Sequence, residues 1–349
     1  MVKSTTYIAT PPGETIREQI VARGFTQKEF AARMDLSEKH VSKLINGEVQ
    51  LTHDVSRRLE AVLGIPASFW NNLESIYREK LAKIHDENNM ETDCSLACKF
   101  PYREMQNLGW IPSNSTIKNC VLSLRQFFEV TSLHLLDNPS IMRIACRRMS
   151  VTSKADYALL AWAQQAKREA RAVDAFPINI TQLQNLISQF RTMTTMSPEE
   201  FCPKLKAMLL NCGIVLIFLP HIKGSFLHGA TFYDGKKIVM GLTVRGKYAD
   251  KFWFSFFHEL AHILCGHINN QKGTTEEDER LADTFAQNTL IPDDKFSKFI
   301  DKRSFKKRDI ILFASHINID PGIIVGRLQK EGFIHFSAHN NLKKQYVIE

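Results

Sequence analysis

The sequence predicts an α+β protein that is mostly α-helical, and three observations support this class. Over about the first 85 residues, apolar side chains recur at three-to-four spacing between regularly placed caps. Helical spacing returns in the middle of the chain. Only after residue 213 does the period become that of strands, over 214–219 and 229–242, so we expect a small β-sheet. With 349 residues and 44% apolar content, the chain can bury two or three cores.

Bulk composition points to a cytoplasmic protein without a membrane segment. No run of eighteen apolar residues occurs, and the start MVKSTTYIATPPGE contains neither a signal core nor an Arg-rich presequence. The seven cysteines form no C-x-x-C pair, which favours reduced thiols. A net charge of +8 suits a protein that contacts phosphates, but many proteins that bind no nucleic acid carry such a charge.

Residues 1–85 are predicted to form four short helices followed by a longer one. Pro12 lies near the first helix start, and a longer helix is expected after Pro66. Helix starts are indicated by polar caps and helix ends by glycines: Thr26 with Glu29 as a capping box, Ser37 and Thr52, then Gly24, Gly47 and Gly64.

Residues 26–46 fit a helix-turn-helix, in which the second helix lies in the major groove of DNA. Gln27 and Lys28 begin the first of these helices and are candidates for phosphate contacts. The candidate base-reading and phosphate-binding residues of the second helix are Glu38, Lys39, His40, Ser42 and Lys43. The alternative is a four-helix scaffold for protein contacts, with these side chains on a solvated face.

The first 80 residues resemble the phage-repressor-type helix-turn-helix of HigA-like antitoxins, a class of XRE-type regulators. The resemblance rests on four short stretches: Pro12-Gly13-Glu14, Gly24-Phe25-Thr26-Gln27, Ile45-Asn46-Gly47 and Phe69-Trp70. It implies binding to operator DNA as a homodimer, often at the regulator's own promoter. The segment is only mildly basic, so contacts would depend on helix termini and a few lysines.

The rest of the chain is predicted to contain a linker at 86–112, a helical middle region at 113–178 and a further domain at 179–349. The linker is inferred because periodicity lapses into a polar stretch that contains prolines. In the last domain, Thr181 and Ser197-Pro198 are expected to open helices, and Asp234-Gly235 to turn a β-hairpin.

His258-Glu259-Leu260-Ala261-His262 is an H-E-x-x-H pattern within a run that reads as a helix. Residues four apart project on one helix face, so both imidazoles can bind one metal ion while Glu259 acts on the polarised water. The alternative is a buried structural helix. That interpretation would bury Glu259 among apolar side chains without a partner.

A third ligand is needed, and several residues could provide it. Glu276, Glu277, Asp278 and Glu279 begin the next helix, and His267 lies just beyond the motif. The metzincin spacing would require histidine at 268, so His267 is interpreted as a helix-end residue. Cys265 is interpreted as a packing residue rather than a ligand.

Residues 180–330 resemble the ImmA/IrrE-type metallopeptidases (the DUF955 group), which implies a zincin-like domain containing Zn²⁺. The resemblance rests on Gly229-Ala230, 237–240, FWFSFFHELAHIL and ERLADTFAQNTLIP. The family motif E-x-x-A-[ND]-x-F-A implies Glu279 as the third zinc ligand. It places Asp283 as the second-shell partner of a ligating imidazole. A register error of one turn would select one of the neighbouring acids instead.

Other parts of this domain have less specific signals. The strand at Gly229 and Ala230 is predicted either to pair with a substrate backbone or to be purely structural. His228, Tyr233 and His316 are candidates for stabilising a tetrahedral oxyanion. Residues 313–328 have helix-turn-helix-like spacing, and the basic stretch 302–308 is interpreted as solvated surface rather than a second DNA contact.

Three functional hypotheses follow. The first is a transcriptional regulator with a working zinc endopeptidase, with Glu259 as catalytic base. The second keeps the regulator but makes the metal domain a non-catalytic sensor or partner-binding module, as in an antitoxin that neutralises a toxin. The third is a peptidase whose N-terminal module only dimerises or captures substrate. The intact caps and polar recognition face of the helix-turn-helix favour the first two.

Overall fold

The computed structural model describes residues 2–4, 6–114, 116–137, 154–223, 228–243, 247–270 and 273–346. These residues contain fifteen α-helices and five strands, which confirms the predicted mostly helical α+β class. The chain divides into two compact units, Met1–Ser95 and Leu96–Glu349. Cys146 of the sequence lies outside the described residues.

The first unit is a helical bundle that also contains a two-stranded antiparallel ribbon, which the sequence analysis did not predict. Its core contains Ile16, Phe30, Val41, Leu59 and Trp70, all fully buried. The ribbon and helices are β1 (Val2–Lys3), β2 (Ile8–Ala9), α1 (Pro12–Ala22), α2 (Gln27–Arg33), α3 (Glu38–Ile45), α4 (His53–Leu63) and α5 (Ala67–Ala97).

The polar caps predicted for the short helices are present. The hydroxyls of Thr26, Ser37 and Thr52 each accept a backbone N–H three residues on, at 3.1–3.3 Å. The capping box at Thr26 is only half formed, because the carboxylate of Glu29 accepts hydrogen bonds from Arg33 instead, the shorter at 2.8 Å. The short helices therefore begin where their sequence signals place them.

The predicted linker begins as helix rather than as irregular chain. Helix α5 continues for 31 residues to Ala97, through the first part of the segment assigned to the linker. That segment lacks apolar periodicity, but it contains no proline or glycine before Pro101, so nothing in it terminates a helix. Polar composition alone was therefore a poor indicator of a linker.

The described residues of the second unit form ten further helices and a three-stranded sheet. Those that precede the sheet are α6 (Tyr102–Asn107), α7 (Ile117–Phe128), α8 (Lys154–Arg171), α9 (Ile180–Thr192) and α10 (Pro198–Leu210). The sheet contains β3 (Ile214–Phe218), β4 (Gly229–Asp234) and β5 (Lys237–Leu242). The helices that follow are α11 (Ala249–Leu264), α12 (Glu276–Leu290), α13 (Asp293–Ile300), α14 (Lys307–Ile317) and α15 (Pro321–Lys330).

Two predicted helix starts have different outcomes. Helix α10 opens with the full capping box of Ser197 and Glu200, at the predicted position. Helix α9 begins earlier than predicted, because the side chain of Asn179 rather than Thr181 caps it, accepting the N–H of Gln182 at 2.9 Å.

The sheet has the order β3-β5-β4, with β3 parallel and β4 antiparallel to β5. The hairpin between β4 and β5 turns after Asp234, as predicted. Helix α8 of the middle region packs on β3 and β5, and the Trp162 indole donates to Pro220 O at 3.1 Å. A Cβ on Gly241 would lie 2.5 Å from this ring. The middle region is therefore packed together with the sheet that follows it.

Residues 343–346 fasten the start of α11. Tyr248 forms a β-bridge with Gln345, and the Trp253 indole donates to Tyr346 Oη at 3.1 Å. Lys343 Nζ lies 2.8 Å from Asp250 Oδ2, and both side chains are buried. This tail therefore holds the first turn of the helix that carries the H-E-x-x-H residues.

Helices α14 and α15 form the helix-turn-helix-like pair anticipated at 313–328, bent by 115°. Asp320 caps α15 by accepting the N–H of Gly322 at 2.8 Å. Within the described part of the chain, no single helix is long and apolar enough to cross a membrane. Among the described residues, only this bent pair, with its two helices taken together, has the length and apolar composition of a membrane span. Residues of both helices lie in the main core.

Candidate metal centre and nucleic-acid interface

Helix α11 holds His258 and His262 in fixed positions because it is buried on nearly all sides. Phe256, Phe257 and Leu260 are fully buried around it. The two histidines are four residues apart and lie on one face. Their Nε2 atoms are 3.0 Å apart. Both imidazoles therefore present a nitrogen to the same point.

Glu279, in the first turns of α12, completes a group of three ligand atoms. Its Oε2 lies 3.5 Å from His258 Nε2, and its Oε1 lies 3.7 Å from His262 Nε2. Atoms bound to a tetrahedral zinc at about 2.0–2.2 Å are roughly 3.3–3.6 Å from one another. The three separations of 3.0, 3.5 and 3.7 Å fall around that range, so this donor set fits such an ion.

The other acids of this turn have different partners. Glu277 pairs with Arg280, and Glu276 is exposed. Asp278 accepts the backbone N–H of Thr275 in a capping box. Among the four acids, Glu279 alone is placed within 4 Å of both imidazoles.

Each of the two candidate ligands His258 and His262 is held through its second ring nitrogen. His258 Nδ1 lies 2.9 Å from Asp283 Oδ1, on the turn of α12 that follows Glu279. His262 Nδ1 lies 3.0 Å from the Nδ1 of His267, whose Nε2 is 3.4 Å from Asp278 Oδ1. Such partners fix the ring orientation and tautomer of a metal ligand.

The contact of His267 with His262 was not predicted from the sequence. His267 lies beyond the helix end, as expected, but Gly266 adopts a φ of 72° and turns the chain so that the imidazole is buried against His262. The one sequence signal for this contact is that His267 directly follows a glycine at the helix end, because glycine tolerates the positive φ that such a turn needs. Cys265 was expected to pack in the interior; this was wrong, because it is exposed at the helix end.

Glu259 is buried next to β4. Its Oε2 accepts a hydrogen bond from Thr231 Oγ1 at 2.6 Å. A Cβ on Gly229 would lie 2.8 Å from Glu259 Cγ and 3.0 Å from its Oε1. The argument that burial would leave Glu259 without a partner was therefore wrong, since Thr231 supplies one, and Gly229 leaves the space that the side chain fills.

The pKa values of these groups reflect their burial and mutual contacts. Burial raises the pKa of Glu259 to about 7, although the His258 charge and the Thr231 hydrogen bond oppose this. Burial lowers the pKa of His258, but hydrogen bonds with Asp283 and Glu279 outweigh it and raise the pKa to about 10. The hydrogen bond with His258 lowers the pKa of Glu279 to about 2. With a pKa of about 10, the His258 imidazole is positively charged at neutral pH.

Strand β4 is at an edge of the described sheet, next to Glu259. His228 O accepts the N–H of Thr243, so the alternation of an antiparallel ladder turns the backbone groups of Gly229 and Thr231 away from β5. Among the described residues, Glu259 contacts both Gly229 and Thr231, whose backbone groups face away from β5. His228 directly precedes β4 and Tyr233 lies on it, whereas His316 is exposed on α14 and lines a separate cavity.

The helix-turn-helix presents one polar face. In α3, Val41, Leu44 and Ile45 are buried, whereas Glu38, Lys39 and Lys43 are exposed and His40 and Ser42 are half-buried. Gln27 is half-buried and Lys28 exposed in α2. Within the part of the chain that the structure describes, none of these seven side chains forms a hydrogen bond or an ion pair. They are therefore available to a partner.

Comparisons with known proteins match these two regions. Residues 16–70 match the family model described as helix-turn-helix, and residues 239–320 match that described as IrrE N-terminal-like domain. An uncharacterized HTH-type transcriptional regulator, YddM of Escherichia coli (strain K12), is 29% identical over 66 residues. The aligned part is 19% of this chain and 70% of that protein. The matches confirm both resemblances drawn from the sequence, and the second contains all three candidate metal ligands.

Proposed function

Because the chain joins a helix-turn-helix domain of a DNA-binding transcriptional regulator to a metallopeptidase-like domain, we propose that it couples operator binding to zinc-dependent endopeptidase activity. The observation that carries the proposal is the convergence of His258, His262 and Glu279 on one point, with Glu259 beside a free strand edge. Binding to operator DNA would require the protein to act in the cytoplasm.

His258, His262 and Glu279 would hold the ion, and Asp283 and His267 would keep the two imidazoles oriented. A zinc ion bound there supplies Lewis-acid activation of a water molecule. Glu259 would accept a proton from the water as its oxygen bonds to the peptide carbonyl carbon, and would give that proton to the leaving amine as the C–N bond breaks. A carboxylate with a pKa of about 7 is suited to both transfers near neutral pH. Thr231 keeps the carboxylate in place between the two transfers.

The edge of β4 gives a polypeptide substrate a place to bind. An extended peptide can add to the free backbone groups of Gly229 and Thr231 as a further strand. This would bring its carbonyl groups along the same side as Glu259. We therefore propose β4 as the backbone-binding element of the peptidase.

Replacement of Glu259 by glutamine tests the proposed activity. Glu259→Gln keeps the shape of the side chain but cannot accept a proton, so zinc content should be retained while cleavage of fluorescently labelled casein stops. Glu277→Gln, an exposed acid on α12, is the matched control and should cleave casein normally. Cleavage by Glu259→Gln at the wild-type rate would refute the catalytic assignment. If wild-type protein cleaves nothing and Glu259→Gln leaves regulation unchanged, a sensor or toxin-binding antitoxin becomes the better description.

The DNA-binding proposal assigns recognition to the polar face of α3. Lys39→Ala with Lys43→Ala should abolish the electrophoretic shift of the gene's own upstream region at moderate salt, because phosphate contacts provide much of the affinity. Lys80→Ala with Lys83→Ala removes the same charge from α5 and should retain the shift. Equal losses in both variants would show a general charge effect and contradict the assignment. The proposed homodimer is checked by sedimentation equilibrium.

A further inference from the structure

A cavity of about 620 Å³ lies in the second unit, between α11, α12, α15 and the segment that follows α15. Phe254 and Ser255 contribute to it from α11, Gln287 and Leu290 from α12, and Ile323 from α15. This volume is within the range of pockets that take small organic molecules. The cavity can therefore hold the largest amino-acid side chains.

The cavity continues the face that carries the metal ligands. On α12, Glu279, Asp283 and Gln287 are spaced four residues apart, so Gln287 lies two turns along the same face from the ligand Glu279. On α11, Phe254 is one turn before His258, and their ring centroids are 6.3 Å apart. One helical turn is about 5.4 Å long. The cavity therefore begins about one helical turn from the candidate metal ligand His258.

The interior of the cavity favours an uncharged occupant. Four of its charged side chains have ionic partners: Lys343 pairs with Asp250, Arg327 binds Asp293 and Glu331 at 2.7 Å each, and Lys330 lies 3.8 Å from Asp283. The fifth, Lys251, is exposed. Between these groups the walls are mainly aromatic and aliphatic, with contributions from Phe254, Leu290, Ile291, Ile323 and Phe336. A charged side chain buried among these walls would lose its hydration.

We propose that this cavity, here called the side-chain pocket, receives a bulky apolar side chain of the substrate next to the scissile bond. The proposal rests on the proposed peptidase function, and it adds the class of sequence that the enzyme selects. If the scissile carbonyl of a peptide lies at the metal centre, the side chain of the adjacent residue lies a few ångströms from it. The wall of the pocket at Phe254 is similarly close to the centre, because its ring centroid is 6.3 Å from that of His258.

Binding of two dipeptide hydroxamates to the zinc-loaded full chain tests the proposal without requiring turnover. The two probes differ only in the residue next to the hydroxamate, which is phenylalanine in one and alanine in the other. Burial of the ring should make the phenylalanine probe bind roughly 10- to 100-fold more tightly. Gln287→Trp, at a half-buried position where a larger ring would project into the pocket, should reduce this ratio to below about threefold.

Asn288→Trp is the matched control, because Asn288 is the next residue on α12, is exposed and does not line the pocket. It should keep the wild-type ratio, and circular dichroism verifies that both tryptophan variants fold. Equal binding of the two probes to wild-type protein, or an unchanged ratio in Gln287→Trp, would overturn the pocket assignment. Casein cleavage is measured in parallel, so that cleavage without side-chain preference refutes only the pocket. Preference without cleavage refutes only the peptidase.

Discussion

Removal of the Asp283 carboxylate should weaken zinc binding in a measurable and bounded way. Asp283 accepts a hydrogen bond from His258 Nδ1 at 2.9 Å, and loss of such a partner typically costs 10- to 100-fold in metal affinity. The Asp283 side chain is 47% exposed, and Lys330 Nζ lies 3.8 Å from its other oxygen. Water can therefore replace part of the interaction, so we expect Asp283→Ala to lose about tenfold, or about 1.4 kcal/mol.

His267→Ala provides the comparison for this estimate. His267 is buried, so no water would replace its contact with His262, and the loss should approach a hundredfold. Zinc affinities are measured by competition with a chromophoric chelator at pH 7.5. Glu276→Ala, which removes an exposed acid from the same helix, is the control for charge alone. Asp283→Ala within twofold of wild type, or a Glu276→Ala loss as large as that of Asp283→Ala, would refute the reasoning.

Three further predictions concern the same unit. Since the pKa of His258 is raised to about 10, zinc binding at pH 7 should release about one proton, and the zinc affinity should rise roughly tenfold per pH unit from 7 to 9. Calorimetry in buffers of different ionisation enthalpy measures the released proton, and a zinc affinity that does not change with pH would contradict the prediction. Gly229→Val would place a carbon against Glu259, so casein cleavage should fall at least tenfold while bound zinc, measured by atomic absorption, persists. Lys343→Met leaves Asp250 buried without its counter-charge and should lower the free energy of unfolding by about 3–5 kcal/mol in urea titrations. Adding Asp250→Asn to the same chain should restore part of the lost free energy. A loss below about 1 kcal/mol in Lys343→Met would argue against the ion pair.

Local chemistry made parts of this molecule predictable. The side chains of Ser37 and Thr52 act on backbone groups three residues away, so sequence alone located those helix starts. The spacing of His258 and His262 placed both rings on one face because residues four apart lie about one helical turn apart. Gly47 and Gly64 adopt positive φ at helix ends that their positions had already indicated.

Contacts between segments that are distant in the sequence were harder to predict. Glu279 was selected among four neighbouring acids through the family motif, because spacing within α12 does not reveal which turn faces α11. Thr231 and Gly229 reach Glu259 only through the packing of β4 on α11. The strands β1 and β2 are two residues each, too short for alternation to be detected. Such pairings depend on the tertiary fold rather than on local periodicity.

The tail at residues 343–346 has a consequence for the order in which the working parts of the chain arise during translation. A ribosome adds these residues long after it has added both imidazoles, yet they fasten the first turn of the helix that carries them. A nascent chain that already contains the whole helix-turn-helix therefore still lacks the anchor of the helix that carries His258 and His262. Newly made protein would therefore acquire its helix-turn-helix before the helix of the proposed peptidase site is anchored.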